Sequence, residues 1–235
     1  MRWGSPAARL PPVRLLLFDV DGTLIESGGA GRAALAAAAA AELALPELPA
    51  VALAGRSDLA IMRDVLVLAG VRPTPAAMDG LVAAYLARLP ETLSTHEGRI
   101  LDGVVELLDS LADLGLPVGL ATGNLMRGAE LKLRRYGLWE RFATGGFGDR
   151  SAERAHIVAV AIERLAAVSG VDQRSAGAVV IGDTLHDVTA GRAAGARVLA
   201  VATGTDGECA LRESGADLVL PDLADTATVL DFLLA

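Results

Sequence analysis

The stretch Asp19-Val20-Asp21-Gly22-Thr23 sets two carboxylates two residues apart just before a glycine that turns the backbone. Residues i and i+2 of a strand share a face, so both carboxylates can look into one site from different heights. So close together they repel unless a cation lies between them or one carries a proton. Both remedies suit phosphoryl transfer: Mg²⁺ neutralises Asp19 and an incoming phosphate, and a protonated Asp21 can give its proton to a leaving oxygen. A solvated turn rich in Asp and Gly is the plainer reading of the pentapeptide alone.

A second acidic cluster is Gly182-Asp183-Thr184-Leu185-His186-Asp187. Asp183 is placed either to cap a following helix or to supply the hard oxygen ligand that Mg²⁺ prefers. Asp187, one helical turn on, is placed to hold a metal-bound water or to orient Asp183. Thr122-Gly123-Asn124 adds a hydroxyl and backbone N–H groups, a neutral cradle for phosphate oxygens.

Each of these clusters follows a short, continuous apolar run: Leu15 to Phe18, Pro117 to Ala121 and Ala178 to Ile181, with a fourth run at Arg197 to Val201. Apolarity without alternation predicts strands covered on both faces, and the helical patterns Val104 to Leu114 and Ile157 to Val168 lie between them. The expectation is a parallel α/β sheet, Rossmann-like, with helices on both faces. Ligands bind such sheets beyond the carboxyl ends of the strands, where Asp19, Thr122 and Asp183 stand. From Ser27 to Glu91 the periodicity is helical throughout (Ala33 to Leu45, Asp58 to Ala69, Ala76 to Leu89), with a glycine-rich entry and a polar exit between Pro90 and Gly98. This predicts a core of residues 1–26 and 92–235 carrying an inserted helical cap of residues 27–91; a single larger α/β domain is the alternative.

Taken together, order and spacing from Val13 to Val201 resemble the haloacid dehalogenase (HAD) superfamily, and within it the phosphoglycolate-phosphatase-like hydrolases with a helical cap. The family's first motif, Asp-x-Asp-Gly-Thr, matches Asp19 to Thr23, its second matches Thr122, and its acidic fourth, Gly-Asp-Thr-x-x-Asp, matches Gly182 to Asp187. The resemblance implies Asp19 as nucleophile, Asp21 as general acid and base with its carbonyl on Mg²⁺, and Asp183 as a metal ligand. One element departs from the pattern: the third motif usually supplies a lysine before the fourth, and the only lysine, Lys132, comes too early and reads as a surface helix residue. Arg154, ahead of the helical Ile157 to Val168, is the candidate cation, with Arg150 as the alternative.

A phosphomonoester hydrolase is therefore expected, since expelling an alkoxide needs the acid that Asp21 offers and expelling a halide does not. A sugar phosphomutase of the same family and a non-catalytic phosphate-binding protein are the competing readings. Arg56, in Gly55-Arg56-Ser57-Asp58, and Arg32 are candidates for a substrate's second anionic group. His96, His156 and His186 lack the spacing of a zinc pair. The net charge of −8 argues against nucleic acid and anionic lipid as partners; Met1 to Pro12 holds no apolar run, and Leu15 to Phe18 is too short for a signal core or a membrane span. A cytoplasmic monomer or homodimer acting on a small phosphorylated metabolite is the expectation, and the single Cys209 fits a reducing compartment.

Overall fold

The computed structural model describes residues 14–149, 151–172 and 176–235; the stretch Met1 to Pro12 and the alternative cation Arg150 lie outside the described residues. Six parallel strands form one sheet in the order β5-β4-β1-β6-β7-β8: β1 (Arg14–Phe18), β4 (Val118–Ala121), β5 (Gly145–Gly146), β6 (Gly177–Gly182), β7 (Arg197–Val201) and β8 (Leu218–Leu220). Four of these are the apolar runs of the sequence. β5 and β8 escape pattern reading because two and three residues are too short to display a period.

β1 shows why its run is continuous. Leu16 and Phe18 pack with α4 (Val104–Asp113), α5 (Met126–Arg135) and α9 (Thr226–Leu234), while Leu15 and Leu17 pack with α6 (Arg154–Ser169). All four are fully buried, so the pleat presents one apolar face to each helix layer. Phe18 pairs with Leu120 of β4 on one side and Ile181 of β6 on the other. That register brings the residues after the three strands, Asp19, Thr122 and Asp183, to one edge of the sheet.

An antiparallel ribbon of β2 (Ile25–Glu26) and β3 (Arg99–Ile100) brackets the helical excursion α1 (Ala30–Leu43), α2 (Asp58–Leu68) and α3 (Pro75–Thr95). These helices share an apolar cluster of their own, including Ala34, Ala38, Met62, Val65, Leu81 and Leu89, to which α5's preceding residue Leu125 is added from the sheet side. The helix expected to end at Leu89 runs on into the polar exit. α3 continues through Pro90 to Thr95, because Leu89 and Leu93 on either side are buried and their packing offsets the backbone donor that proline lacks. Among the described residues, no helix is long and apolar enough to cross a membrane.

Candidate active site

Asp19 is 5% exposed, and its amide donates to Ile181 O at 2.9 Å, which ties the start of the loop to β6. Oδ2 accepts from the Arg154 guanidinium at 2.7 Å, whereas Oδ1 is buried without a hydrogen-bond partner among the described residues. Burial pushes the Asp19 carboxyl up to about 6, against the opposing pull of Arg154 and with the added push of Asp187. Asp183, 3% exposed, accepts from the Thr23 hydroxyl at 2.9 Å. Its carboxyl is pushed up to about 9 by burial first, then by the Asp187 and Asp19 charges.

Oxygens of Asp19, Asp183 and Asp187 lie within 4.8 Å of one another, and all three residues are buried. Three crowded, buried carboxylates form a hard oxygen donor set of the kind a divalent cation fits. The backbone closes tightly around them: a Cβ on Gly204 would stand 1.7 Å from Asp183 Oδ2, so only glycine admits the loop this close. Asp187 is already employed. Its Oδ1 accepts from Arg154, and Oδ2 accepts from the Thr184 amide at 3.1 Å and the Thr184 hydroxyl at 2.7 Å. These bonds join Asp187 to Arg154 and Thr184 and not to Asp183, while its carboxylate stays within the cluster. Thr184, not Asp183, caps α7 (Leu185–Ala193), with Asp187 completing the capping box.

Arg154 opens α6 and is held, part-buried, between the Asp19 and Asp187 carboxylates. Burial works against its charge, but those two carboxylates outweigh it and hold the guanidinium above the usual arginine range. Gly123 lets this arm approach: a Cβ there would meet Arg154 Nη1 at 2.8 Å and the Arg56 carbonyl at 2.7 Å.

Thr122 is fully buried, and its hydroxyl accepts from Asn124 Nδ2 at 2.8 Å. Asn124 Nδ2 also donates to Asp21 Oδ2 at 2.8 Å. The structure corrects the reading of Lys132 as a surface residue: it is 5% exposed, and Nζ lies 2.6 Å from both Asp21 Oδ2 and Asn124 Oδ1. Its helix explains this, since Ala129, Lys132 and Leu133 share α5's buried face. That spacing was present in the sequence and is the signal by which Lys132 could have been found.

From the helical layer, Asp58 reaches the site's edge. Its amide donates to Gly123 O at 2.8 Å, and its Oδ2 accepts from Leu125 N at 2.9 Å. The Arg56 guanidinium is not brought to the carboxylates; it pairs with Asp64 at 2.6 Å within its own helical layer. Asp19, Asp21, Asn124, Lys132, Arg154 and Asp183 line one cleft of about 480 Å³, also lined by Arg32 and Leu35 of α1, Met62 of α2 and Arg56 of the loop before α2.

Comparisons with known proteins agree with this architecture. The chain is 30% identical over 225 residues to phosphoglycolate phosphatase of Thiobacillus denitrificans, covering 92% of this chain and 95% of that protein. It is 27% identical to N-acetylmuramic acid 6-phosphate phosphatase of Pseudomonas putida, covering 93% and 96%. In fold, it resembles the crystal structure of a predicted phosphoglycolate phosphatase from Haemophilus somnus with a TM-score of 0.72 at 18% identity, over 93% of this chain and 98% of that one. Residues 13–195 match the hydrolase family described as haloacid dehalogenase-like, and the chain belongs to that family.

Proposed function

We propose that the protein is a Mg²⁺-dependent phosphatase of small organic phosphomonoesters, acting in the cytoplasm through an aspartyl-phosphate on Asp19. The observation that carries this reading is the buried, unpartnered Asp19 Oδ1 at the cleft, with Arg154 on its other oxygen. Asp19 Oδ1 forms a bond to phosphorus while the bond from phosphorus to the ester oxygen breaks, and Asp21 gives its proton to that oxygen. Water then attacks the phosphorus, Asp21 takes the water's proton, and the bond to Asp19 breaks to release phosphate. Arg154 faces the charge that grows on the phosphoryl oxygens, and Thr122, Gly123 and Asn124 are read as their neutral cradle. When bound at Asp19, Asp183 and the Asp21 carbonyl, Mg²⁺ would neutralise the phosphate so that an anionic nucleophile can approach.

Residues 27–91, with α3 carried on to Thr95, are read as the cap that selects the substrate. The two curated relatives above act on phosphoglycolate and N-acetylmuramic acid 6-phosphate, which both join a phosphate to a carboxylate. Arg32 lines the cleft and has no ion-pair partner among the described residues, which suits a second anion. Phosphate release from 2-phosphoglycolate, N-acetylmuramic acid 6-phosphate and p-nitrophenyl phosphate, with Mg²⁺ or with chelator, tests the proposal. Turnover in Mg²⁺ that is lost in Asp19→Asn is expected. Full activity in chelator, or in Asp19→Asn, would refute the mechanism.

A further inference from the structure

An ammonium buried in a helix face is costly unless its protons are satisfied, and Lys132 is 5% exposed on α5. Its Nζ contacts two acceptors at 2.6 Å, Asp21 Oδ2 and Asn124 Oδ1. The helical layer closes over the same group: a Cβ on Gly31 of α1 would stand 3.6 Å from Nζ and 3.8 Å from the Tyr85 hydroxyl of α3. Burial works against the ammonium's charge, yet Asp21, Tyr85 and Asp58 outweigh it and hold Lys132 above the ordinary lysine range.

The arrangement fixes two side chains in sequence. Lys132 donates only, so it can face Asn124 only through the amide oxygen, which turns Nδ2 toward Thr122 Oγ1 and Asp21 Oδ2, each at 2.8 Å. Asp21 thus receives Lys132 and Asn124 on the same oxygen, and Oδ1 keeps no hydrogen-bond partner among the described residues. Its side chain is 40% exposed in the cleft, so these two donors are what hold one rotamer against solvent.

We propose that Lys132 is a positioning residue for the proton donor: with Asn124 it holds Asp21 by Oδ2 so that Oδ1 is presented to the leaving oxygen. The inference rests on the acid role proposed above for Asp21. Because the ammonium sits beneath α1 and α3, the donor is held in place with the helical layer seated on the sheet domain.

The test compares Lys132→Met, Lys132→Gln, Asp21→Asn and the double variant Asp21→Asn/Lys132→Met. Each is assayed with Mg²⁺ on 2-phosphoglycolate, a poor alkyl leaving group, and on p-nitrophenyl phosphate, a good aryl one. Misplacing a donor by an ångström costs on the order of a hundredfold, so both lysine variants should lose about 30- to 100-fold in kcat on the alkyl ester. The loss on the aryl ester should be under about fivefold with KM nearly unchanged, because that leaving group needs little protonation. The double variant should be no worse than Asp21→Asn. Aryl turnover and thermal melting report the folded fraction, and Lys132→Gln retains a donor should Lys132→Met fail to fold. Equal losses on both esters, a raised KM at constant kcat, additive losses in the double variant, or unfolding of both lysine variants would each overturn the inference. If Asp21→Asn itself shows no leaving-group dependence, the acid role and this inference fall together; if it does and the lysine variants do not, only this inference falls.

Discussion

Arg154 and Asp19 meet at 2.7 Å, guanidinium to carboxylate, with 10% and 7% of their side chains exposed. Asp187 holds the same guanidinium from the other side. In the proposed mechanism a cation so clamped is preorganised for the phosphoryl group, and removing one such donor costs about a hundredfold or more. Arg154→Ala is therefore expected to lower kcat/KM at least ~100-fold, on the scale of a lost transition-state donor, with Arg154→Lys recovering part. A harmless Arg154→Ala, measured on protein shown by melting to be folded, would refute the role.

The buried carboxylates also set a pH dependence. Burial raises Asp19 to about 6 and Asp183 to about 9 in the metal-free protein. A raised carboxyl favours the fold fully below its unfolded value of about 3.9 and loses that contribution as pH rises through the folded value. Metal-free protein should thus melt at progressively lower temperature between about pH 4 and 9, and Asp183→Asn should flatten the slope. Mg²⁺ binds the ionised form, so its stabilising shift in Tm should grow with pH. A shift equal at pH 5.5 and 8.5 would contradict the site.

Gly204→Ala would set a Cβ 1.7 Å from Asp183 Oδ2, while a Cβ on Gly207 meets nothing within 4 Å. Displacing a ligand's support typically costs 10- to 100-fold, so Gly204→Ala should weaken Mg²⁺ affinity at least ~10-fold by calorimetric titration, with Gly207→Ala as a near-silent control. Equal affinities would remove Asp183 from the metal site.

Asp58 joins the first turn of α2 to the loop after β4 through the Leu125 amide at 2.9 Å. Asp58→Ala leaves that part-buried donor unpaired, which should cost about 1–3 kcal/mol by denaturant titration. Looser seating of the helical layer should raise KM on 2-phosphoglycolate more than it lowers kcat. An unchanged stability and KM would mean the bond does not hold the layer down.

The sequence alone determined where chemistry could occur. Strands covered on both faces must be apolar throughout, so the runs ending at Phe18, Ala121 and Ile181 announced themselves, and the polar residues just beyond them had to meet at one edge of the sheet. The resemblance to the family's third motif, with the only lysine too early in the chain, narrowed the expected cation to Arg154 or Arg150 without choosing between them. Only the tertiary structure decided which charged groups pair. Lys132 and Asp21 are 111 residues apart in the chain, and their contact depends on which face of α5 turns inward and on helices of the other layer closing over it. That Thr184 rather than Asp183 caps α7, and that Asp187 pairs with Arg154, was likewise invisible, since the local sequence does not choose among the partners a strand-to-helix turn can reach. Periodicity is a local property of the chain, whereas the partner of a buried charge is set by packing between segments far apart in it.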